Sequence, residues 1–153
     1  MKTCLNVILA GGSAFFPEKA GREIAALTAA EGYGIRSVLL SGSKAGGGYA
    51  YHLRIGGRRI SPVIPQGHAD LLLAETPGEA LRQLSWLKRD GRVVTLVNDC
   101  GEQGGDPEGP YLRFLRRRVR NLTVLKHESA LHISDIFTII EETVTFQCAA
   151  GGI

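Results

Sequence analysis

An apolar run from Cys4 to Ala10 ends at Gly11-Gly12, and the stretch that follows, Pro17 to Ala30, is rich in Ala, Glu and Leu. The run is strand-sized and the glycines interrupt it, so the order strand, glycine turn, helix follows. Gly32 and Gly34 stop the helix, and Ile35 to Leu40 is a second apolar run of strand length. Together these predict a βαβ unit, the signature of a parallel sheet with helices packed on its faces.

The period then changes. Gly42 to Gly48 is a flexible glycine loop, Tyr49 to Ile55 alternates as a strand does, and Gly56-Gly57 is a hairpin signal. Arg58 to Ile64 reads as the return strand, with Pro62 confining it to an edge or a strand end. After the turn Pro65-Gln66-Gly67, Asp70 to Ala74 has the pattern of a buried strand. Pro77 to Lys88 is predicted to be a helix carrying Ala80, Leu81, Leu84 and Leu87 on one side, ended by Asp90-Gly91. Arg92 to Val97 supplies the next strand and completes a second βαβ unit. A polar, glycine-rich loop from Asn98 to Pro110, a basic helix from Tyr111 to Arg120, a short strand at Leu122 to Lys126 and an apolar segment around Ile133 to Val144 finish the chain. A loop of that length often binds something or moves.

Composition sharpens this picture in three ways. With 153 residues, 44% of them hydrophobic, the chain has material for one core and one domain spanning 1–153. No apolar run approaches the roughly 20 residues needed to span a bilayer, and the N-terminus has no cleavable signal pattern, so a soluble cytoplasmic protein is expected. Cys4, Cys100 and Cys148 are far apart with no C-x-x-C spacing, which suits reduced thiols rather than a zinc or iron–sulfur site. Any electron carrier is therefore expected on another chain.

A net charge of +3 is only mildly basic and does not by itself call for nucleic acid. The charge is concentrated, however: Arg113, Arg116, Arg117, Arg118 and Arg120 alternate with Leu112, Phe114, Leu115 and Val119 at helical spacing. The plain expectation is a solvated basic face. Nucleic acid is not the expected partner, because there is one basic segment and no evident aromatic platform beside it.

Two glycine loops are candidate ligand sites. Gly11, Gly12 and Ser13 lie between a strand and a helix, where backbone N–H groups and the helix dipole favour an anion, although neither G-x-G-x-x-G nor a Walker pattern is complete. Ser43, Lys44, Gly46 and Gly47 follow a parallel strand, the place where open α/β sheets build their sites, and Lys44 and the serines can donate to an anion. A tight turn and a flexible loop are the alternatives. His52, His68, His127 and His132 make no metal constellation, and neither Asp70 nor Glu75 comes with an identifiable catalytic partner.

The segment from Tyr51 to Arg82 goes further. His52, Arg54, Gly56, Ser61-Pro62, Ile64-Pro65, Gly67, Ala69-Asp70, Glu75 and Glu79-Ala80-Leu81 stand in the order of a family signature in which H-V-R-I/F-G is followed by S-P-x-I-P-x-G-x-A-D, an apolar strand and a Glu-Pro segment ending in E-A-L. In this the chain resembles the gamma subunit or gamma domain of the pyruvate, ketoisovalerate, 2-oxoglutarate and indolepyruvate ferredoxin oxidoreductases. The likeness covers about the first hundred residues. Two loops depart from the family: its G-x-G-G-Q-G is Gly11 to Phe16 here, and its Q-R-G-G is Lys44-Ala45-Gly46-Gly47.

The resemblance implies a three-layer α/β/α sandwich, a Rossmann-like mixed sheet with one inserted β-hairpin. It also implies an accessory subunit of a complex that decarboxylates 2-oxoacids with thiamine diphosphate and passes electrons through iron–sulfur clusters to ferredoxin. Those cofactors, and coenzyme A, would be properties of the complex, with none on this chain alone; coenzyme A-side contacts would fall to Ser43, Lys44, Gly46 and Gly47. The implied partners are the other subunits, with ferredoxin reached indirectly. The alternative is a catalytically inactive paralogue, a binding or regulatory module that could be homodimeric.

Overall fold

The computed structural model describes residues 4–13, 15–41, 48–56, 61–97, 109–126, 138–140 and 142. The elements in chain order are β1 (Cys4–Gly11), α1 (Phe15–Ala30), β2 (Ile35–Ser41), β3 (Tyr49–Gly56), β4 (Ala69–Ala74) and α2 (Pro77–Arg82). A short 3-10 turn at Leu84–Trp86 leads into β5 (Leu87–Val97), followed by α3 (Gly109–Arg118) and β6 (Asn121–Lys126). The six strands form one sheet in the order β2-β3-β1-β4-β5-β6. β1, β4, β5 and β6 run parallel, whereas β3 is antiparallel to both β1 and β2.

Alternation of side chains assigns each strand residue to a face. Leu5, Val7 and Leu9 of β1 join Leu53, Ile55, Leu71, Leu73 and Val94 under α1, with Ile139 and Ile140 on the same side. Ile8 and Ala10 join Ala50, Leu72, Ala74 and Val93 under Ala80 of α2 and Leu115 of α3. Helices thus cover both faces, the expected three-layer α/β sandwich. Val7, Ile8, Leu9, Leu71, Leu72 and Leu73 are completely buried, and burial of each such side chain contributes roughly 1.5–3 kcal/mol.

The helices take their positions from short-range chemistry. Pro17, Ala20, Gly21, Ile24 and Thr28 form the buried stripe of α1, at helical spacing. Gly21 is tiny for a reason: a Cβ there would strike the Tyr51 ring of β3. The helix ends in a Schellman motif, with Gly32 at φ +84° and the N–H groups of Gly32 and Tyr33 donating to the carbonyls of Ala29 and Thr28. α2 begins at the N-cap Thr76, whose Oγ1 accepts from the Glu79 N–H at 3.3 Å, with Pro77 as its first residue.

Two expectations need correction. Residues 61–64 are not a return strand: the hairpin of this sheet is formed by β2 and β3, one connection earlier, while 57–60 lie outside the described residues. The backbone at 61–64 is held by side chains instead of a ladder. Ile64 N–H donates to His52 Nδ1 at 3.2 Å, and the Ser61 carbonyl accepts from Arg54 at 3.0 Å. Second, the helix from Pro77 stops at Arg82, and Leu87 to Gly91 belong to β5. There the register against β4 jumps from Ala69↔Leu87 to Leu71↔Arg92, an irregularity that packs Gly91 against Leu87 and the Ala69 carbonyl. The basic helix and the strand after it stand where the pattern put them. Nearly all of the Asn98–Pro110 loop, 98–108, and most of the last apolar segment lie outside the described residues, although 138–140 and 142 are helical.

Candidate functional site

The strand starts and the strand ends of the parallel core carry different chemistry. At the starts, a row of polar side chains crosses four strands on the face covered by α2 and α3. The register sets Arg54 of β3 beside Asn6 of β1. Asn6 Oδ1 accepts from Arg54 Nε at 2.9 Å, and Asn6 Nδ2 donates to the His68 carbonyl at 2.9 Å. Asp70 of β4 accepts the Asn6 backbone N–H at 2.9 Å and pairs with Lys88 of β5 at 2.9 Å. The Asp70 side chain is fully buried, so its charge depends on these partners.

His52 occupies the next row of that face. Accepting the Ile64 N–H fixes Nδ1 as the unprotonated nitrogen, so Nε2 carries the ring proton. Nε2 is buried without a hydrogen-bond partner, and the Trp86 indole meets the ring edge-on with centroids 5.0 Å apart. Burial pulls the pKa down to about 4. His52, Arg54, Ser61, Ile64 and Asp70, which read as a signature in the sequence, are therefore one structural clamp that closes the β3-to-β4 crossover onto the sheet. Asn6 is its hub, and nothing in its local sequence marks it as such.

The ends of β1 and β4, where open α/β sheets place their ligands, bring Gly11, Gly12 and Ser13 beside Glu75, Thr76 and Glu79. The Glu75 N–H donates to the Ala10 carbonyl at 2.9 Å, which folds the Glu75 carboxylate back over the turn. Gly12 N–H donates to Glu75 Oε2 at 3.2 Å, and a Cβ on Gly11 would lie 2.8 Å from that same oxygen. The N–H that an anion would take is thus paired with the protein's own carboxylate. Ser13 is exposed at the head of α1.

One helical turn on, Glu79 is buried, with Oε1 on Arg82 at 3.2 Å and Oε2 unpartnered against the Cα of Gly48. Gly48 also abuts the Gly11 carbonyl, so the chain leading into β3 and the turn after β1 are in direct contact. Ser43, Lys44, Gly46 and Gly47 lie outside the described residues. The repeated glutamates of the Glu75-to-Leu81 segment are the signal by which this edge could have been found.

The cofactors implied by the resemblance can be held against these residues. Among the described residues, no group of three or more His, Cys, Asp or Glu comes together to hold a metal ion. Cys4, the one cysteine described, directs its thiol to Asn6 Oδ1 at 3.4 Å. These residues fit neither a cluster nor a metal-bound diphosphate, and no chemical step is assigned to them. No described helix is long and apolar enough to cross a membrane.

An open mixed sheet with one antiparallel strand inserted beside the central β1, helices on both faces and glycine turns at the strand ends defines an α/β sandwich domain. Solved structures share it. The PORC subunit of pyruvate oxidoreductase from Thermotoga maritima matches with a TM-score of 0.53 and 16% identity, over 81% of this chain and 62% of that one. The 2-oxoglutarate:ferredoxin oxidoreductase from Magnetococcus marinus, with 2-oxoglutarate, coenzyme A and succinyl-CoA bound, matches with a TM-score of 0.52 and 16% identity, over 81% of this chain and 20% of that one. The gamma subunit of a keto/oxoacid ferredoxin oxidoreductase from Geobacter sulfurreducens superposes at a TM-score of 0.48, with 18% identity over 82% of this chain and 61% of that one. The chain therefore spans less than two thirds of the length of each of these three structures. No protein-family model and no curated protein matches the sequence.

Proposed function

We propose that this chain is a gamma-type subunit of a 2-oxoacid:ferredoxin oxidoreductase assembly, accessory to a thiamine-dependent oxidative decarboxylation carried out on partner subunits. One observation carries the proposal: the residues that resemble the family signature, His52, Arg54, Ser61, Ile64 and Asp70, join Asn6 in one hydrogen-bonded clamp inside a fold of the gamma-subunit kind. Independent drift of sequence and fold would not reunite them. The thiamine diphosphate and iron–sulfur clusters belong, on this proposal, to the partner chains, and no catalytic group is assigned here.

The edge formed by Gly11, Gly12, Ser13, Glu75 and Glu79 is the proposed ligand side, where a coenzyme A phosphate would be met; Ser43, Lys44, Gly46 and Gly47, outside the described residues, are proposed as further contacts on the strength of the sequence resemblance alone. Glu75 then has to swing off Gly12 before an anion can approach. The test is affinity purification of the tagged protein from its own host under anaerobic conditions, with mass spectrometry and an absorbance spectrum. Recovery of a thiamine-binding subunit together with iron–sulfur absorption supports the proposal; a colourless protein that comes alone removes it.

A further inference from the structure

At the strand ends a buried charge is only half satisfied. Glu79 is 7% exposed; its Oε1 pairs with Arg82 at 3.2 Å, while its Oε2 is enclosed without a hydrogen-bond partner. Buried polar atoms are nearly always paired, because a bare one forfeits its hydration with nothing in return. Oε2 abuts Gly48 at the same place as the Gly11 carbonyl, so an acceptor meets an acceptor. Gly11 is flanked by a second carboxylate as well. A Cβ on Gly11 would stand 2.8 Å from Glu75 Oε2 and 3.3 Å from the Ser13 carbonyl.

The groups gathered around Gly11 are thus two carboxylates and two main-chain carbonyls, every one an oxygen. Such a set suits a hard divalent cation, which accepts carboxylates and backbone carbonyls in flexible geometry and completes its shell with water. Zinc and the softer metals call for imidazole or thiolate, and neither is part of this group. A water molecule could bridge the Glu79 and Gly11 oxygens, but it would offset no charge. The two glycines are part of the arrangement, since a side chain at Gly11 would strike Glu75 Oε2 and one at Gly48 would strike Glu79 Oε2.

We propose that a hard divalent cation of the calcium type binds at this edge, held by Glu79, Glu75 and the Gly11 carbonyl, and that in binding it draws Glu75 off the Gly12 N–H. Glu75 is the movable member of the pair, because its hold on Gly12 is a 3.2 Å bond in an exposed setting, whereas Glu79 is buried and anchored by Arg82. The cation thereby frees the N–H that the glycine turn otherwise gives to the protein's own carboxylate. The binding site rests on these residues alone; its use in admitting an anion rests on the gamma-subunit reading. The experiment titrates the full chain, isotope-labelled, with calcium chloride at constant ionic strength in potassium chloride, following the Gly12 amide resonance and the melting temperature, and repeats this for Glu79→Gln and Glu75→Gln.

Expected for wild type are saturable binding, a displaced Gly12 amide and a melting temperature that rises with calcium, as for any ligand of the folded state alone. Each variant removes one ligand charge and should bind roughly tenfold more weakly. If Glu79→Gln does not fold, Glu75→Gln, altered at a partly exposed carboxylate, must show the loss by itself. No saturable response in wild type, or an equal response in the variants, overturns the site. Binding that leaves the Gly12 amide where it was overturns the displacement of Glu75. Failure to recover oxidoreductase subunits in the anaerobic purification would leave the calcium titration unaffected, so the two readings fail separately.

Discussion

His52 shows how a single side chain couples this fold to pH. Its folded-state pKa, about 4, lies below the ordinary value of 6.5, because burial disfavours the imidazolium and Nδ1 is engaged by Ile64 N–H. In this window the unfolded chain binds the extra proton, so stability rises with pH. Its contribution, about 3 kcal/mol from a shift of this size, is complete above pH 6.5 and is lost as pH falls towards 4. Urea unfolding between pH 7 and 4.5 should show a steeper loss for wild type than for His52→Gln; parallel curves would mean that His52 takes up its proton alike in the folded and unfolded chain. Two glycines are equally specific. A methyl group at Gly48 would collide with Glu79 Oε2 and the Gly11 carbonyl, so Gly48→Ala should destabilise by about 1–3 kcal/mol, read as a lower urea midpoint. Glu75→Gln removes the carboxylate charge over Gly12, and should raise the affinity of the turn for pyrophosphate, followed by the shift of the Gly12 amide resonance. An unchanged amide would remove the turn from the ligand edge.

At the scale of elements, the succession of strands and helices along the chain emerges from apolar runs and βαβ spacing, though the order of strands across the sheet does not, and β1, α1, β2, β3, β4, α3 and β6 lie within a residue or two of where the pattern puts them. The departures share one cause, the clamp. Arg58 to Ile64 alternates like a strand, but within its described part, 61–64, the Ser61 carbonyl and the Ile64 N–H are engaged by Arg54 and His52, side chains of β3, and periodicity says nothing of such pairings. Leu84 and Leu87 continue the spacing of α2, yet Ser85 accepts from Gly67 N–H and Trp86 stacks on His52, which pulls the chain out of the helix and into β5. Tertiary contacts outweigh a propensity difference of a few tenths of a kcal/mol. The same blindness applies to the site: the glycine turn was visible as a turn, whereas its closure by Glu75, 63 residues away in sequence, was not. The buried pair is the sharpest test of the clamp. Asp70→Ala would take the acceptor from the buried Asn6 N–H and the nearer carboxylate from Lys88, which keeps Asp90 at 3.8 Å, and should cost about 1–3 kcal/mol, with faster amide exchange at Asn6. A loss under 1 kcal/mol would show that the row is ornamental.

For the whole molecule, the two ends of the sheet divide the work. The strand starts hold the polar clamp and confer stability, while the strand ends hold the glycine turn with Glu75 and Glu79 beside it. Substitutions in the two sets should therefore separate. Arg54→Ala should lower the melting temperature by several degrees, as expected for a loss of about 1–2 kcal/mol, and spare partner recovery below that temperature, whereas Glu75→Gln should change the melting temperature little. A common response to both would argue that the assembly reads overall stability rather than a surface.

The position of β1 has a consequence for how the protein is made. β1 is made before the two strands that flank it, because its neighbours in the sheet are β3 and β4 rather than β2. A nascent chain that has reached Ser41 holds β1, α1 and β2 but not one strand pair of the finished sheet. Its apolar segment from Leu5 to Ala10 must wait until about residue 74 has been synthesised before both edges are covered, the interval in which such a segment is exposed to aggregation. Translation speed between residues 11 and 74, and chaperone attendance during that interval, thus bear on the yield of this protein.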